Sequence, residues 1–287
     1  ARTLFGSIEH GLDSDTVQSD HTGILAGSLA VGSLVGAASV AGLTSVLGKE
    51  DMMDYGWRIP FIFGGILGLL SAQLRRYAHE TPVFQQMRAR NELARQVPIK
   101  TLLSDHRTEI FLCLLVACMT AVVTGGVHQF PVVYLIGTLN MDPAVVYQAQ
   151  FYAQLALITG DISMGWLSDR IGARRAFVLS TFALVASLFW FYSGLTPDVL
   201  ALRYVVVGFL SGSVCITFVL LITSFPAQLR YTGIAVSYNM AAAIIGGSTP
   251  LLMALLSRQN PIWPAAYPAI FCAIAVLAAL ALYKYRK

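Results

Sequence analysis

Long apolar stretches separated by short polar breaks dominate the hydrophobic pattern of this chain. A helix needs about 20 apolar residues to cross the hydrocarbon layer of a membrane, and eight stretches come close to or exceed that length. The breaks between them carry turn-forming pairs such as Asp142-Pro143 and Asn260-Pro261. The pattern therefore predicts eight transmembrane helices, at residues 22–47, 58–75, 108–137, 145–167, 176–195, 199–222, 232–257 and 264–284.

The composition supports the same interpretation. Of the 287 residues, 56% are hydrophobic and only 12% are charged, whereas soluble domains carry about 25% charged residues. A soluble protein of this size has no core large enough to hide so much apolar surface. We therefore expect an all-α integral membrane protein whose partner is the lipid bilayer. The modest net charge of +4 does not suggest a nucleic-acid partner.

The distribution of basic residues predicts the orientation. If the long polar connection at residues 76–107 is cytoplasmic and the helices alternate, 15 of the 19 lysines and arginines fall on the cytoplasmic side. Positive charge is retained in the cytoplasm, so both termini are predicted to be cytoplasmic. Within the connection, residues 81–96 have a helix-forming composition and are expected to lie on the membrane surface.

Catalytic and metal-binding patterns are weak. The four cysteines lie inside apolar runs without metal-ligand spacing, and His79-Glu80 lacks the second histidine of a zinc motif. Only one aspartate, Asp161, lies deep in a predicted helix, whereas an intramembrane aspartyl protease needs two. We expect neither an enzyme nor a metal or cofactor site. The chain begins with Ala-Arg-Thr and shows no signal-peptide pattern, which resembles the interior of a longer protein.

The most specific motif lies in the short turn between the predicted fourth and fifth helices. Residues 165–175 read Gly-Trp-Leu-Ser-Asp-Arg-Ile-Gly-Ala-Arg-Arg, and this run resembles the G-x-L-S-D-R-x-G-R-R loop of the major facilitator superfamily of transporters. An ordinary basic turn explains the arginines but not the placement of the glycines and the aspartate. In this motif the aspartate can pair with an arginine and accept hydrogen bonds from a helix N-terminus. The gating motif that the resemblance implies comprises Gly165, Asp169, Arg170, Gly172, Arg174 and Arg175.

Further segments narrow the resemblance to one branch of that superfamily. Residues 56–61 (G-W-R-I-P-F), 74–76 (L-R-R), 80–84 (E-T-P-V-F), 225–233 (F-P-A-Q-L-R-Y-T-G) and 246–250 (G-G-S-T-P) resemble the metabolite:proton symporter family. That family includes carriers of proline/betaine, α-ketoglutarate, citrate and shikimate. The resemblance implies proton-coupled symport of a small polar metabolite (organic acid, amino acid or osmolyte) across a bacterial inner membrane. It also implies alternating access, no cofactor, and a carrier that works as a monomer when complete.

The resemblance also predicts the domain organisation. The eight helices would correspond to helices five to twelve of the twelve-helix fold, so that the first four are missing. Residues 1–75 would end the N-terminal bundle, 76–107 would connect the bundles, and 108–287 would form the C-terminal six-helix bundle.

Two features depart from the family pattern. Thr223 stands where family members often carry an acidic residue, and the polar stretch 12–21 resembles an insertion. A non-transporting receptor or scaffold and an inactive truncated fragment stay open as alternatives.

One polar stripe on the predicted fourth helix is the best candidate for a translocation path. Tyr147, Gln150, Gln154 and Asp161 project within about 60° of one another on a helical wheel. Ionisable groups in lipid usually face a cavity or a partner, so the stripe is predicted to face a central water-filled cavity, with Gln154 nearest the midplane. Asp161 is expected either to take up a proton or bind a cationic group, or else to pair with an arginine of the gate.

Three further residues complete the predicted substrate and proton path. His128 and Gln129 end a run that includes Thr120 and Thr124, and an imidazole titrates near neutral pH. An interfacial histidine is the alternative. Asn239 interrupts an apolar run on the seventh helix, where it lines the cavity or bonds to another helix. The predicted path therefore comprises His128, Gln129, Gln150, Gln154, Asp161 and Asn239.

Overall fold

The computed structural model describes residues 51–75, 98–226 and 229–285, together with scattered positions between 32 and 47. These ranges contain helices and turns and no strand. They belong to two units, one holding residues 51–75 and the scattered positions and the other holding residues 98–285. Most of the predicted span 22–47 and the whole predicted surface helix 81–96 lie outside the described residues.

The smaller unit consists of a π-helical segment followed by one apolar helix. The π segment Met52–Gly56 leads into α1, Arg58–Arg75, with the bounds predicted from the sequence. Trp57 packs edge-on against Phe61, and the Arg58 guanidinium lies 4.6 Å from the Trp57 ring centre. Within this unit the apolar side chains of α1 are mostly exposed, and Phe61 is 74% exposed. Such a helix needs lipid or other helices around it.

The described residues of the larger unit form ten α-helices and two further π segments. The first π segment is Thr124–Gln129 between α3 and α4, and the second is Ala242–Gly246 between α9 and α10. The helices are α2 (Pro98–Asp105), α3 (Arg107–Val123), α4 (Phe130–Gly137), α5 (Pro143–Ile171), α6 (Ala173–Tyr192), α7 (Pro197–Ser211), α8 (Val214–Ser224), α9 (Arg230–Ala241), α10 (Gly247–Gln259) and α11 (Trp263–Tyr285). The short α2 falls within the predicted connection, after the stretch 81–96 for which a surface helix was predicted.

Six helical stretches of the described residues are long and apolar enough to cross a membrane. They are Asp54–Gln73, Arg107–Gly137, Ala173–Tyr192, Pro197–Ser224, Arg230–Gln259 and Trp263–Lys284, and each coincides with a predicted span. The predicted span 145–167 corresponds to α5, whose 29 residues are long enough to cross. Three glutamines and Asp161 lower its hydropathy. The all-α membrane fold is therefore confirmed.

Proline and short polar side chains set where the helices begin. Asp142 caps α5, because its carboxylate accepts a hydrogen bond from the Ala144 N–H at 2.8 Å, and Pro143 occupies the first helical position. Pro197 occupies the first position of α7 in the same way. The side-chain oxygen of Asn260 accepts a hydrogen bond from the Ile262 N–H at 2.9 Å, just before α11 begins. The turns predicted from these pairs are therefore present.

Helices α5 and α7 approach each other closely through glycines. A Cβ atom added at Gly160 would lie 2.1 Å from the Phe209 carbonyl oxygen, and one at Gly208 would lie 2.4 Å from the Ala153 carbonyl oxygen. Small residues at such positions let helix backbones touch inside a membrane. Elsewhere α3 packs against α9 and α11, and α6 packs against α7 and α11.

Candidate functional site

The π segment Thr124–Gln129 interrupts the membrane span formed by α3 and α4. It leaves one backbone carbonyl without the N–H donor that a regular helix would provide. Pro131, in the first turn of α4, has no N–H to donate to the carbonyl of Val127 four residues earlier. The Tyr204 hydroxyl of α7 donates to that carbonyl instead, at 3.1 Å. An unpaired backbone carbonyl is costly in a membrane, so the proline and the tyrosine together stabilise the irregular segment.

His128 lies in the same π segment and is held by two neighbouring helices. Nε2 of Gln150 on α5 donates to the His128 backbone carbonyl at 2.9 Å, and the His128 Nε2 lies 3.2 Å from the Ser211 Oγ on α7. The Ser211 Oγ also lies 2.7 Å from the Gly208 carbonyl oxygen, which can only accept. If the single hydroxyl proton goes to the nearer Gly208 carbonyl, the His128 Nε2 donates to Ser211.

In that arrangement the neutral imidazole carries its proton on Nε2. With the proton on Nε2, the His128 Nδ1 is a bare acceptor. Nδ1 is buried, and the described part of the chain gives it no hydrogen-bond partner. The arrangement can therefore take up a proton, or accept a hydrogen bond, at one defined nitrogen.

The predicted stripe on α5 divides into positions of different burial. Tyr147 is 57% exposed and Asp161 only 5% exposed, while Gln150 and Gln154 are half-buried. Asp161 lies where α5 meets the break between α7 and α8, since its backbone carbonyl accepts a hydrogen bond from the Cys215 thiol at 3.4 Å. The structure thus brings Gln150 to His128, while Asp161 lies about three turns further along α5.

The buried Asp161 has no cation beside it in the ranges that the structure describes. The sequence suggested an arginine of the gating motif as an alternative partner for Asp161. Among the described residues, no arginine lies within 4.0 Å of this carboxylate. Burying an ionised carboxylate without a partner is costly, and ionisable groups inside membrane helices are usually functional. Its place in the translocation path stays a prediction.

Gln129 and Asn239 are the more exposed members of the predicted path. The Asn239 side-chain amide donates to the Ala235 carbonyl of its own helix at 2.8 Å. Thr124 likewise donates to the Thr120 carbonyl at 2.9 Å, as threonines in membrane helices often do. Neither hydrogen bond joins two helices.

The sequence pattern did not reveal that the two π segments of the larger unit lie against each other. A Cβ at Gly125 would lie 3.0 Å from a Thr249 methyl carbon and 3.6 Å from the Gly246 carbonyl oxygen. The segment Thr124–Gln129 contains a Gly-Gly pair at 125–126, and Pro131 follows it. The segment Ala242–Gly246 ends in a Gly-Gly pair at 246–247, and Pro250 follows it. That local signal could have found both, because proline frees a carbonyl and glycine allows close approach. Ser211 and Tyr204 were also missed, since only the tertiary fold brings them to His128.

The predicted gating motif forms the turn between α5 and α6. Gly165 is buried, Gly172 has a φ of +85° that favours glycine, and Asp169 is half-buried. The Arg170 guanidinium stacks 4.0 Å from the Trp166 ring centre, whereas Arg174 stacks 4.0 Å from the ring of Tyr283 on α11.

The stacking of Arg174 ties the turn to the end of the last helix. Arg175 is exposed. Among the described residues, Asp169 has no basic group within 4.0 Å, so the expected pairing with an arginine is not present in this conformation. Whether the motif acts as a gate stays a prediction. Among those residues no group of three His, Cys, Asp or Glu side chains is placed to hold a metal ion.

The chain is similar to known transporters over most of its length. The family model described as Major Facilitator Superfamily matches residues 18–248. A putative proline/betaine transporter of Staphylococcus aureus (strain COL) is 29% identical over 255 residues, covering 85% of this chain and 54% of the relative. The proline/betaine transporter of Salmonella typhimurium is 27% identical over 272 residues, covering 89% of this chain and 54% of the relative.

The proline/betaine transporter of Escherichia coli (strain K12) is also 27% identical, with 88% of this chain and 53% of the relative covered. The chain thus spans about half the length of the curated relatives it matches. These relatives are named as transporters and not as enzymes. Together with the apolar helices, they indicate a multi-pass membrane protein. The chain belongs to the Major Facilitator Superfamily.

Proposed function

We propose that the intact protein is a secondary active transporter that carries a small polar metabolite together with protons by alternating access. The observation that carries the proposal is the polar contact among three helices of the larger unit. Gln150 of α5 and Ser211 of α7 both bond to His128, in a bundle whose described core is otherwise largely apolar. Irregular backbone in a membrane is tolerated where it is buried in protein or lines a cavity, and transporter sites are often built from interrupted helices.

Proline and betaine are the first solutes to test, because the relatives bear those names. Organic acids come next, since related carriers in the resembled branch take them. We place the protein in a bacterial inner membrane with both termini in the cytoplasm, on the distribution of its basic residues. Proton coupling is supported by His128, whose Nδ1 is an unpartnered acceptor among the described residues, and by the buried Asp161.

The test is uptake of radiolabelled proline and betaine by cells that lack their own carriers and express the intact protein. Wild-type protein should accumulate at least one solute, and a protonophore should abolish accumulation. Gln154→Leu should lower uptake by roughly tenfold or more if the amide bonds to the solute, since an unmatched polar contact costs about 1–3 kcal/mol.

Gln148→Leu is the matched control, because Gln148 is an exposed glutamine about 120° around α5 from Gln154, where it contacts the Tyr152 hydroxyl at 3.3 Å. Equal losses in both variants at equal protein levels would reject the site. Absence of uptake of any small polar metabolite by the wild type would reject transport and favour a receptor or scaffold.

A further inference from the structure

A cavity of about 450 Å³ lies where the turn between α5 and α6 meets the ends of α8 and α11. Arg174 and Arg175 line one side of it, and Thr223 and Ser224 at the end of α8 line another. The remaining wall is mostly apolar and is formed by Ile171, Ala173, Leu220, Ala279 and Leu282 with Tyr283. Three members of the gating motif, Gly172, Arg174 and Arg175, line this cavity, and no residue of the polar site around His128 does.

The two arginines bring positive charge to the cavity without a carboxylate to balance it. Within the ranges that the structure describes, no Asp or Glu oxygen lies within 4.0 Å of either guanidinium. The Arg174 Cζ lies over the Tyr283 ring, at 4.0 Å from the ring centre. A guanidinium carries five N–H donors, and a ring contact uses none of them as a conventional hydrogen bond, so donors remain for an oxygen acceptor.

The start of α6 adds backbone donors to the same cavity. Gly172, Ala173, Arg174 and Arg175 all line it, and the first N–H groups of a helix have no acceptor within the helix. No side chain caps this helix. The positive end of the helix dipole also favours an anion there. Fork-shaped guanidinium groups beside free N–H groups fit the tetrahedral oxygens of a phosphate.

We propose that this cavity binds a phosphate group, as carried by the headgroup of an anionic phospholipid. The apolar wall formed by α8 and α11 suits the glycerol and upper acyl chain of a lipid, while the arginines and the α6 N-terminus hold the phosphodiester. Basic pockets between membrane helices bind anionic headgroups in this way. Free phosphate shares the same chemistry, so the experiment separates the two sources.

The test measures lipid binding to the full-length protein and does not depend on its solute. Purified protein is titrated with phosphatidylglycerol or phosphatidylcholine, and bound lipid is counted by native mass spectrometry. The wild type should bind phosphatidylglycerol more tightly. The double variant Arg174→Gln/Arg175→Gln should weaken that binding about tenfold or more, because each basic residue near anionic lipid contributes roughly a factor of five.

Arg170→Gln is the matched control, since Arg170 carries the same charge in the same turn but stacks on Trp166 outside the cavity. It should change phosphatidylglycerol binding less than twofold. Because Arg174→Gln also removes the contact with Tyr283, Arg175→Gln alone provides a variant at an exposed position, with an expected loss of roughly fivefold.

Inorganic phosphate is the second probe. Inorganic phosphate should bind and should lose affinity in the Arg174 and Arg175 variants. If it also displaces phosphatidylglycerol only weakly, the cavity recognises phosphate groups and the lipid is the better ligand. If it binds in this way and phosphatidylglycerol does not, the ligand is a soluble phosphate. Equal binding of the two lipids with no phosphate binding, or equal losses in the Arg170 and Arg175 variants, would overturn the proposal.

Discussion

Replacing Gly160 by alanine places a methyl group in the close contact between α5 and α7. A Cβ at this position would lie 2.1 Å from the Phe209 carbonyl oxygen, whereas ordinary contact begins near 3.4 Å. Backbone cannot rotate away as the end of a side chain can, so α5 and α7 must separate by roughly 1.3 Å, which loses dispersion contacts along both helices.

The expected magnitude follows from two opposing terms. Overpacking of this kind costs about 1–3 kcal/mol, while alanine gains up to about 1 kcal/mol over glycine in a helix interior. The difference is about 0–2 kcal/mol, and because the obstacle at Gly160 is backbone we expect the upper half of that range, a free energy of unfolding lowered by roughly 1–2 kcal/mol. Ser211 lies on α7 beside this contact, so the 3.2 Å contact between its Oγ and the His128 Nε2 should lengthen as well.

The assay uses the cysteines of the chain, all four of which are buried. A thiol-reactive fluorophore reports their exposure as purified full-length protein is heated in detergent, and Gly160→Ala should unfold at a lower temperature than the wild type. Gly137→Ala is the control, because a Cβ there would meet no atom within 4 Å. A midpoint for Gly160→Ala equal to or above those of wild type and control would refute the close approach of α5 and α7.

Three further predictions concern orientation, gating and coupling. A cysteine at Gln259 should react with an impermeant thiol reagent in whole cells and one at Gln86 should not, because most basic residues fall on the side of residue 86; the reverse pattern would invert the topology. Asp169→Asn should lower the rate of transport more than the affinity for solute, and an unchanged rate at normal protein levels would leave the motif a folding role. Asp161→Asn should flatten the pH dependence of uptake if that carboxylate carries the coupling proton, and an unaltered pH profile would exclude it.

The gating motif illustrates where local sequence is sufficient and where it is not. Gly172 was predicted as part of a tight turn, and its φ of +85° is a property that the residue itself permits. The destination of the Arg174 side chain was not predicted, because Tyr283 lies more than 100 residues away in the chain. Side-chain partners of that kind depend on which helices pack together.

The polar site shows the same division. The sequence by itself determined that the chain forms apolar membrane-spanning helices, where most of them begin and end, and that α5 carries a polar stripe. Those features follow from hydropathy, helical periodicity and the chemistry of proline and glycine, all of which act over a few residues. Only the tertiary structure decided that Gln150 bonds to the carbonyl of His128 and that the Ser211 hydroxyl lies within hydrogen-bond distance of its imidazole. The physical reason is that helix–helix registers in a membrane are set by close packing, as at Gly160 and Gly208, and such packing has no signature in the periodicity of a single helix.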